Sequence, residues 1–252
     1  MLKFNIVVPL YNAEKYIGRC LKTIKAQKYE NLEVVVVNDV SSDNSKEIVT
    51  QEIAGFDNFH LINTSENGGP LSSLVKGVNY LNPDKEDVVV VVDGDDWLAT
   101  PNVLNTLEEV YLNNNCLMTF GSYIEYPSGK KGKFSRKIPD EVIKNKSYRK
   151  SEWMTSHLRT FKCKLFRMIR EEDLGNFEQK YFKRAGDVAA MFPMLEMAEE
   201  RALFIDEILY VYNRNNPLNE DKVDHAQQLA VEHEVRNKPV YPRLEEVQND
   251  SR

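Results

Sequence analysis

Three carboxylates fall within four residues at Asp93, Asp95 and Asp96, directly after the five valines at 88–92. Carboxylates this close repel one another, so some of them have raised pKa values unless a cation lies among them. Hard oxygen ligands suit Mg²⁺ or Mn²⁺, and Gly94 lets the backbone turn close to a ligand. The cluster therefore predicts a divalent-metal site, with a polar turn before the next helix as the alternative interpretation.

Polar residues also follow two other strand-like runs. Residues 9–12 lie at the end of the apolar run Phe4–Leu10 and just beyond it, and residues 38–43 follow the run at 32–37. Ligands of open α/β sheets bind beyond the carboxyl ends of the strands, so we expect these residues to share one edge with the Asp cluster. Neither common phosphate loop, GxGxxG or GxxxxGK[ST], occurs in the sequence. A metal held by the Asp cluster is therefore expected to neutralise the charge of a phosphate group on the ligand.

Strands alternate with helices in the first part of the chain, which predicts an α/β protein with a mostly parallel central sheet flanked by helices. The valine-rich runs are typical of strands covered on both faces. Helical periodicity marks residues 13–28, 42–53, 71–81 and 102–113, and a short strand is predicted at Phe59–Asn63. Beyond about residue 115 we predict strands at 117–125 and 203–212, a basic loop at 128–137, and helices near 150–158, near 163–171, from Asp187 and at 224–236.

Composition narrows the class of protein. The 252-residue chain is 42% hydrophobic and carries a net charge of −6, which fits a folded domain and disfavours general nucleic-acid binding. Cys20, Cys116 and Cys163 are far apart and odd in number, so neither a disulfide framework nor a zinc site is predicted. No signal peptide is visible, and no apolar run approaches the roughly 18 residues that span a membrane. We therefore expect a cytoplasmic protein whose contact with any membrane is peripheral.

Four motifs, in this order and spacing, resemble those of the family 2 glycosyltransferases, which have the GT-A fold. The family's P-x-Y-N opening is matched at residues 7–12, and its VVDDGSxDxS element at 36–45. Its N-x-G element is matched at 67–69, and its D-x-D-D element at 93–96. The resemblance covers residues 3–115 well and the rest more loosely. It implies a single domain with a Rossmann-like nucleotide-sugar-binding half at 1–115, an acceptor-binding and catalytic half at 116–222, and a C-terminal helix and tail at 223–252.

The resemblance also implies roles for individual residues. The donor would be a nucleotide-sugar, most simply a UDP-sugar, whose sugar is transferred with inversion to a glycan, a lipid-linked sugar or a protein. Asp95 and Asp93 would hold the Mn²⁺ or Mg²⁺ that stabilises the leaving diphosphate. Asp39 would hydrogen-bond the base. The other implied donor-binding residues are Pro9, Tyr11, Asn12, Asn67, Gly68, Gly94 and Arg214.

The family's general base is usually the Asp of a D/E-D motif that precedes a helix in the second half of the chain. The matching residue is Asp187, which would take the proton of the acceptor hydroxyl. Asp is also a favoured helix N-cap, so capping is its alternative role. The residues implied to meet sugar or acceptor are Asp96, Trp97, Trp153, His157 and Arg159. For both tryptophans, packing in the core is the alternative to stacking on a sugar ring.

The sequence departs from the family pattern at several positions. Asn38 replaces the first Asp of the second motif, and Leu74 and Val75 stand where the family has Arg and Asn. That Arg often helps to bind diphosphate, so another cation is expected to serve. The histidine of a late Y-R-x-H motif is also absent. His157 or His225 could replace it by folding close, although an ordinary core or surface histidine is the expectation for each.

Two functions of other classes stay open beside glycosyl transfer. A non-catalytic nucleotide-sugar-binding or scaffold protein on the same fold fits the missing Arg and His, but not the retained Asp39, Asp cluster and Asp187. Donor hydrolysis would separate these two interpretations. A nucleotidyltransferase would release pyrophosphate rather than UDP, and residues 9–15 lack the glycine-rich basic signature of that class. The sequence therefore predicts a metal-dependent glycosyltransferase, of the hexosyltransferase type.

Overall fold

The computed structural model describes residues 1–223 and 225–245, which fold around a central β-sheet. The strands are β1 (Phe4–Leu10), β2 (Leu32–Asn38), β3 (Phe59–Asn63), β4 (Val88–Val91), β5 (Trp97–Leu98), β6 (Met118–Tyr126), β7 (Lys130–Lys131), β8 (Arg159–Lys162) and β9 (Ala202–Asn213). The α-helices are α1 (Ile17–Lys25), α2 (Ser45–Glu52), α3 (Gly69–Leu81), α4 (Val103–Asn113), α5 (Asp140–Lys144), α6 (Cys163–Arg167), α7 (Gly186–Ala198), α8 (Glu220–Val223) and α9 (His225–Asn237). Single 3₁₀ turns lie at Tyr148–Lys150, Glu171–Asp173 and Glu199–Arg201.

The sheet has a parallel part and a mixed part. Within the described residues the strand order is β3-β2-β1-β4-β8-β6-β9-β5, and β7 pairs with β6. Strands β3, β2, β1 and β4 are parallel, whereas β8 runs antiparallel to both of its neighbours, β4 and β6. The predicted α/β class, with helices flanking a central sheet, is confirmed. The whole sheet is mixed because β8 enters it antiparallel.

The valine-rich strands are buried on both faces because successive side chains point to opposite sides of a sheet. On one side Val7 and Val35 belong to a core that also contains Leu71, Leu74 and Val78 of α3. On the other side Val8 and Val36 belong to a core that contains Ile17, Leu21 and Ile24 of α1. Apolar residues are therefore needed on both faces of each run, which explains the lack of alternation. This double burial fixes the strand ends from which the polar loops emerge.

The helix predicted near residues 150–158 is wrong. After the 3₁₀ turn at Tyr148–Lys150, this stretch is irregular and pairs with residues 134–136 around an isolated bridge between Ser135 and Thr155. The Arg136 N–H donates to the Met154 carbonyl at 3.2 Å, and the Ser156 N–H donates to the Phe134 carbonyl at 3.1 Å. Thr, Ser, His and Trp are poor helix formers, and tertiary pairing decides the conformation here. Strand β8 follows directly, and the sequence analysis missed it together with β5 and α5.

The remaining predicted elements are present with shifted ends. The helix predicted from Asp187 is α7, and the one predicted near 163–171 is the shorter α6 followed by a 3₁₀ turn. The predicted basic loop at 128–137 contains β7. The polar helix predicted at 224–236 overlaps α9, while residue 224 and residues 246–252 of the predicted tail lie outside the described residues. The predicted division at 115 and 222 stays a prediction.

Among the helices of the described residues, none is long and apolar enough to cross a membrane. The expected cytoplasmic location stays a prediction.

Candidate active site

A cleft of about 1570 Å³ opens where β1, β2 and β4 end. It brings together most of the residues that the sequence analysis selected. Those in its lining are Pro9, Tyr11, Asp39, Asn67, Asp93, Gly94, Asp95, Asp96, Trp153, His157, Arg159, Asp187 and Arg214. The other selected residues, Asn12, Gly68 and Trp97, do not line the cleft, although each is a chain neighbour of a lining residue. The loops after three parallel strands therefore meet the second half of the chain in one cavity.

Asp96 is the most enclosed member of the Asp cluster, with no exposed surface. The Tyr210 hydroxyl donates to its Oδ2 at 2.8 Å, and the Asn213 backbone N–H donates to its Oδ1 at 2.7 Å. Burial, and then the charges of Asp95 and Asp93, hold the pKa of Asp96 well above its ordinary value. Since both oxygens are engaged inside the protein, Asp96 braces the cluster against β9.

Asp95 faces the cleft and has one partner from a distant loop. The side-chain amide of Asn216 donates to its Oδ2 at 2.7 Å. Burial is the main cause that raises the pKa of Asp95 to about 6, while the Asn216 hydrogen bond lowers it and the charge of Asp93 raises it. A divalent cation would relieve both the burial of this charge and its repulsion from Asp93.

Arg159 lies between the Asp cluster and Asp187. Its Nη2 contacts Oδ2 of Asp93 at 3.0 Å, and its Nη1 lies 3.2 Å from Oδ2 of Asp187. The pKa of Asp93 is raised above its ordinary value. Burial is the largest cause, the charge of Arg159 opposes it, and the charge of Asp187 adds to it. Asp187 is the second residue of α7, and its side chain keeps 31% of its surface exposed. The guanidinium of Arg159 thus contacts both the predicted general base, Asp187, and a predicted metal ligand, Asp93.

His157 is buried, as expected of a core histidine, and it lies beside the Asp cluster. Its ring stacks on Tyr210 with centroids 4.7 Å apart, and its Nδ1 is 3.8 Å from Oδ2 of Asp93. Possible ligand atoms of Asp93, Asp96 and His157 all lie within 4.8 Å of one another. Burial, and then the charge of Arg159, hold the pKa of His157 well below its ordinary value, which favours the neutral imidazole.

These residues fit a divalent cation. The Nδ1 of His157 is buried and has no hydrogen-bond partner within the described part of the chain. Carboxylate oxygens suit Mn²⁺ or Mg²⁺, and a neutral imidazole nitrogen is a common metal ligand. His225, the other histidine considered, also lines the cleft but does not belong to this group. Whether His157 takes the place of the late histidine that the sequence lacks stays a prediction.

Asp39 organises the loop at residues 67–69. Its carboxylate accepts hydrogen bonds from the backbone N–H groups of Gly68, at 3.1 Å to each oxygen, and Gly69, at 2.8 Å, and from the Thr64 hydroxyl at 2.9 Å. Asn67 in turn donates to the Asp39 carbonyl at 3.2 Å. Three donors of its own chain thus engage this carboxylate, which can accept about four hydrogen bonds. Its predicted contact with a nucleobase stays a prediction.

The loops after β1 and β2 are joined at the mouth of the cleft. The Asn12 backbone N–H donates to the Ser41 hydroxyl at 3.0 Å, and its side-chain oxygen accepts from the Ser42 N–H at 2.7 Å. Tyr11 stands beside this junction with 48% of its surface exposed. Asn12 therefore holds the loop in place, and Tyr11 offers an open aromatic face.

The two tryptophans have different positions. Trp97 is buried against Arg19, whose guanidinium carbon is 3.6 Å from its ring centroid, and against Tyr126. It does not line the cleft, so the contact with sugar or acceptor considered for Trp97 is replaced by packing. Trp153 does line the cleft, from an irregular segment rather than a helix, and its ring packs edge-on against Phe192.

The cleft is also lined by two basic residues that the sequence analysis did not select. Leu74 is in the lining, as are Lys183 and Arg184 from the segment before α7. Lys183 lies against Gly69, since a Cβ at Gly69 would be 2.9 Å from the Lys183 Cα. The Nε of Arg184 is buried without a hydrogen-bond partner within the described residues. No local motif marks these two residues, because only the fold carries them to the cleft.

Comparison with known proteins places this architecture in a family. The family model described as "Glycosyl transferase family 2" matches residues 5–174. The glycosyltransferase GlyA of Streptococcus pneumoniae serotype 4 is 27% identical over 224 residues, which are 83% of this chain and 30% of that protein. The chain therefore spans under a third of the length of this relative.

Two solved structures have the same fold. S. aureus TarS 1-349, in complex with UDP-GlcNAc, superposes with a TM-score of 0.65 at 21% identity, covering 85% of this chain and 59% of that one. The mannosyltransferase PcManGT from Pyrobaculum calidifontis, in complex with GDP-Man and Mn²⁺, superposes with a TM-score of 0.61 at 20% identity, covering 94% of this chain and 65% of that one. At these identities the likeness shows the GT-A fold alone.

Proposed function

The chain belongs to glycosyltransferase family 2, and we propose that it transfers a sugar from a nucleoside-diphosphate sugar, a UDP-sugar, to an acceptor hydroxyl. One observation carries the proposal: a single cleft holds the buried Asp cluster, His157 with its unpartnered nitrogen, and Asp187 at the start of a helix. A nucleotide-sugar donor agrees with the UDP-GlcNAc and GDP-Man bound by the two structural neighbours.

The donor diphosphate would bind over the Asp cluster. Asp93 and Asp95 would hold Mn²⁺ or Mg²⁺, with His157, which lies beside Asp93, as a further ligand. The cation would stabilise negative charge on the leaving diphosphate. Among the cations of the cleft, Arg184 has an unpartnered buried nitrogen and Arg214 follows β9, so both are assigned to the phosphates. They would take the role of the Arg that the family has at the position of Leu74.

The nucleobase would bind at the ends of β1 and β2. Tyr11 presents a half-exposed aromatic ring there, suited to stacking on a base, beside Pro9. Asp39 would act by fixing the Gly68 and Gly69 backbone, and a remaining lone pair could accept from the base. A pyrimidine with an imino N–H, such as uracil, has the donor group for this contact.

Asp187 would be the general base. Its carboxylate takes the acceptor proton while the acceptor oxygen attacks the anomeric carbon, and the bond from that carbon to the phosphate oxygen breaks. The nucleoside diphosphate leaves on the opposite face, so the anomeric centre inverts. Arg159 orients Asp187 through its 3.2 Å contact, and the partly exposed side chain leaves room for an incoming hydroxyl.

Thermal shift against nucleotides and nucleotide-sugars, with and without Mn²⁺, tests donor binding, because a ligand of the native state raises the melting temperature. We expect a Mn²⁺-dependent shift with UDP and with one UDP-sugar that is lost in Asp95→Ala. Slow hydrolysis of that donor to UDP would then separate an enzyme from a scaffold protein. Release of pyrophosphate instead of UDP would indicate a nucleotidyltransferase, and no shift with any nucleotide in the presence of Mn²⁺ would refute donor binding.

A further inference from the structure

Residues 130–136 form a second, positively charged wall of the cleft, which we call the basic rim. Strand β7 supplies Lys130 and Lys131, and Lys133, Phe134 and Arg136 follow; all five line the cleft. The chain as a whole has a net charge of −6. The cations of the rim are therefore concentrated against the overall charge of the protein, in a concave place where a ligand could use them.

The basic rim is fixed to the catalytic side of the cleft. The Ser156 N–H donates to the Phe134 carbonyl at 3.1 Å, and the Ser135 hydroxyl donates to the His157 carbonyl at 3.4 Å. Strand β7 is paired with β6, and β8 and β4 separate β6 from β1, the strand that leads to Tyr11. The rim thus lies on the side of the cleft away from the proposed nucleobase site.

The side chains of the rim are available to a ligand. Lys130 and Lys133 are exposed and have no carboxylate partner within the described part of the chain, and the Lys133 ammonium lies 4.9 Å from the Phe134 ring centroid. Lys131 pairs with Asp206, and Arg136 pairs with Glu152, both near the surface. Exposed pairs of this kind contribute at most about 1 kcal/mol, so a ligand anion can displace them.

We propose that the basic rim is an acceptor subsite for a glycan that carries anionic groups, either phosphodiesters or carboxylates, and this rests on the proposed glycosyl transfer. Phe134, 45% exposed, offers an aromatic face to a sugar ring, and the adjacent lysines attract the anions. A bilayer is the less suitable partner, because these side chains line a concave cleft and a flat membrane surface needs a projecting one.

Fluorescence anisotropy of the whole chain with Mn²⁺ and UDP tests the subsite. The probes are a fluorescein-labelled glycerol-phosphate oligomer, a labelled oligogalacturonate of equal length and a labelled neutral dextran oligomer. We expect one anionic probe to bind and the neutral probe to bind at least about tenfold more weakly. The double variant Lys130→Ala/Lys133→Ala should weaken anionic binding about tenfold, with a dependence on salt that is smaller than in the parent protein.

The matched control is Lys46→Ala/Lys85→Ala, which removes two exposed lysines that do not line the cleft. It should leave probe binding within about twofold of the parent protein. Equal losses in the two double variants, or no binding of either anionic probe, would overturn the subsite. So would binding to phosphatidylglycerol vesicles without binding to either oligomer. UDP binding by the parent protein, measured in the same samples, separates the two proposals, since its absence would count against the proposed function itself.

Discussion

Nη1 of Arg159 lies 3.2 Å from Oδ2 of Asp187, while Nη2 of the same side chain contacts Asp93 at 3.0 Å. The guanidinium is held at this point by β8, where Arg159 pairs in register with Val91 of β4. A rigid strand therefore sets the distance between the proposed base and the proposed metal ligand. This gives the antiparallel strand that the sequence analysis missed a direct part in the site.

Replacing Arg159 should reduce turnover more than donor binding. In Arg159→Lys a single ammonium cannot make the two-pronged contact with Asp93 and Asp187, so kcat should fall about 100-fold. Donor KM should change by less than about fivefold, because the metal ligands and the nucleobase site are retained. Steady-state kinetics with the donor identified by thermal shift would measure this separation.

The control for that variant is Arg167→Lys, which alters an exposed arginine bonded to Asn82. It should keep the parent kcat and KM. A parent-like kcat in Arg159→Lys would show that Asp187 needs no positioning by this guanidinium. Loss of donor binding in the same variant would instead place Arg159 with the donor-binding residues.

Asp187→Asn removes the proposed base with little change in size. Transfer should slow by about 10³-fold, within the range that general bases contribute, while the Mn²⁺-dependent thermal shift with UDP is kept. Asp140→Asn is the matched control, since Asp140 also begins a helix, α5, but is exposed and outside the cleft. If Asp187→Asn retained full transfer, Asp187 would be a helix-terminal residue only and another base would have to be sought.

Local sequence signals predicted the Asp cluster and the parallel strands. A carboxylate run after a doubly buried strand is visible within ten residues, because burial and charge are both encoded there. The partners of the cluster are not local: Asn216 is 121 positions from Asp95, and Arg159 is 66 from Asp93. Only the order of the strands brings them together, and no short motif records that order.

Nearness in sequence does not by itself put a residue in the cleft. Trp97 directly follows the Asp cluster, and of its two interpretations, sugar contact and core packing, the structure has core packing. Asp96 is held by Tyr210 and Asn213, and Trp97 then enters β5, paired with Val211 of β9. Successive side chains of an extended chain point in opposite directions, so Trp97 packs on Arg19 instead of facing the cleft.

Binding of Mn²⁺ should weaken as the pH falls from 7 to 5. The pKa of Asp95 is about 6, and a protonated carboxyl cannot ligate a metal, so the apparent affinity should fall about tenfold or more across this interval. The raised pKa of Asp93 acts in the same direction. Titration calorimetry with Mn²⁺ alone avoids the protonation of nucleotide phosphate, and the melting temperature at each pH checks that the fold is intact. An affinity that does not change with pH would mean either that Asp95 is not a ligand or that its pKa is not raised.

The packing of α3 on the sheet gives a test of the fold that is independent of activity. A Cβ at Gly77 would lie 2.5 Å from Cγ1 of Val7 and 3.2 Å from Cγ1 of Val35, two fully buried β-branched side chains that have no room to move. Gly77→Ala should therefore lower the free energy of unfolding by about 1–3 kcal/mol despite the better helix propensity of Ala. Gly18→Ala in α1 is the matched control, because its Cβ would meet Ile48 only at 3.7 Å, an ordinary contact. That variant should be neutral or more stable by up to about 1 kcal/mol. Urea denaturation of both variants measures the difference, and equal stabilities would mean that α3 does not approach the valine strands as closely as the structure places it.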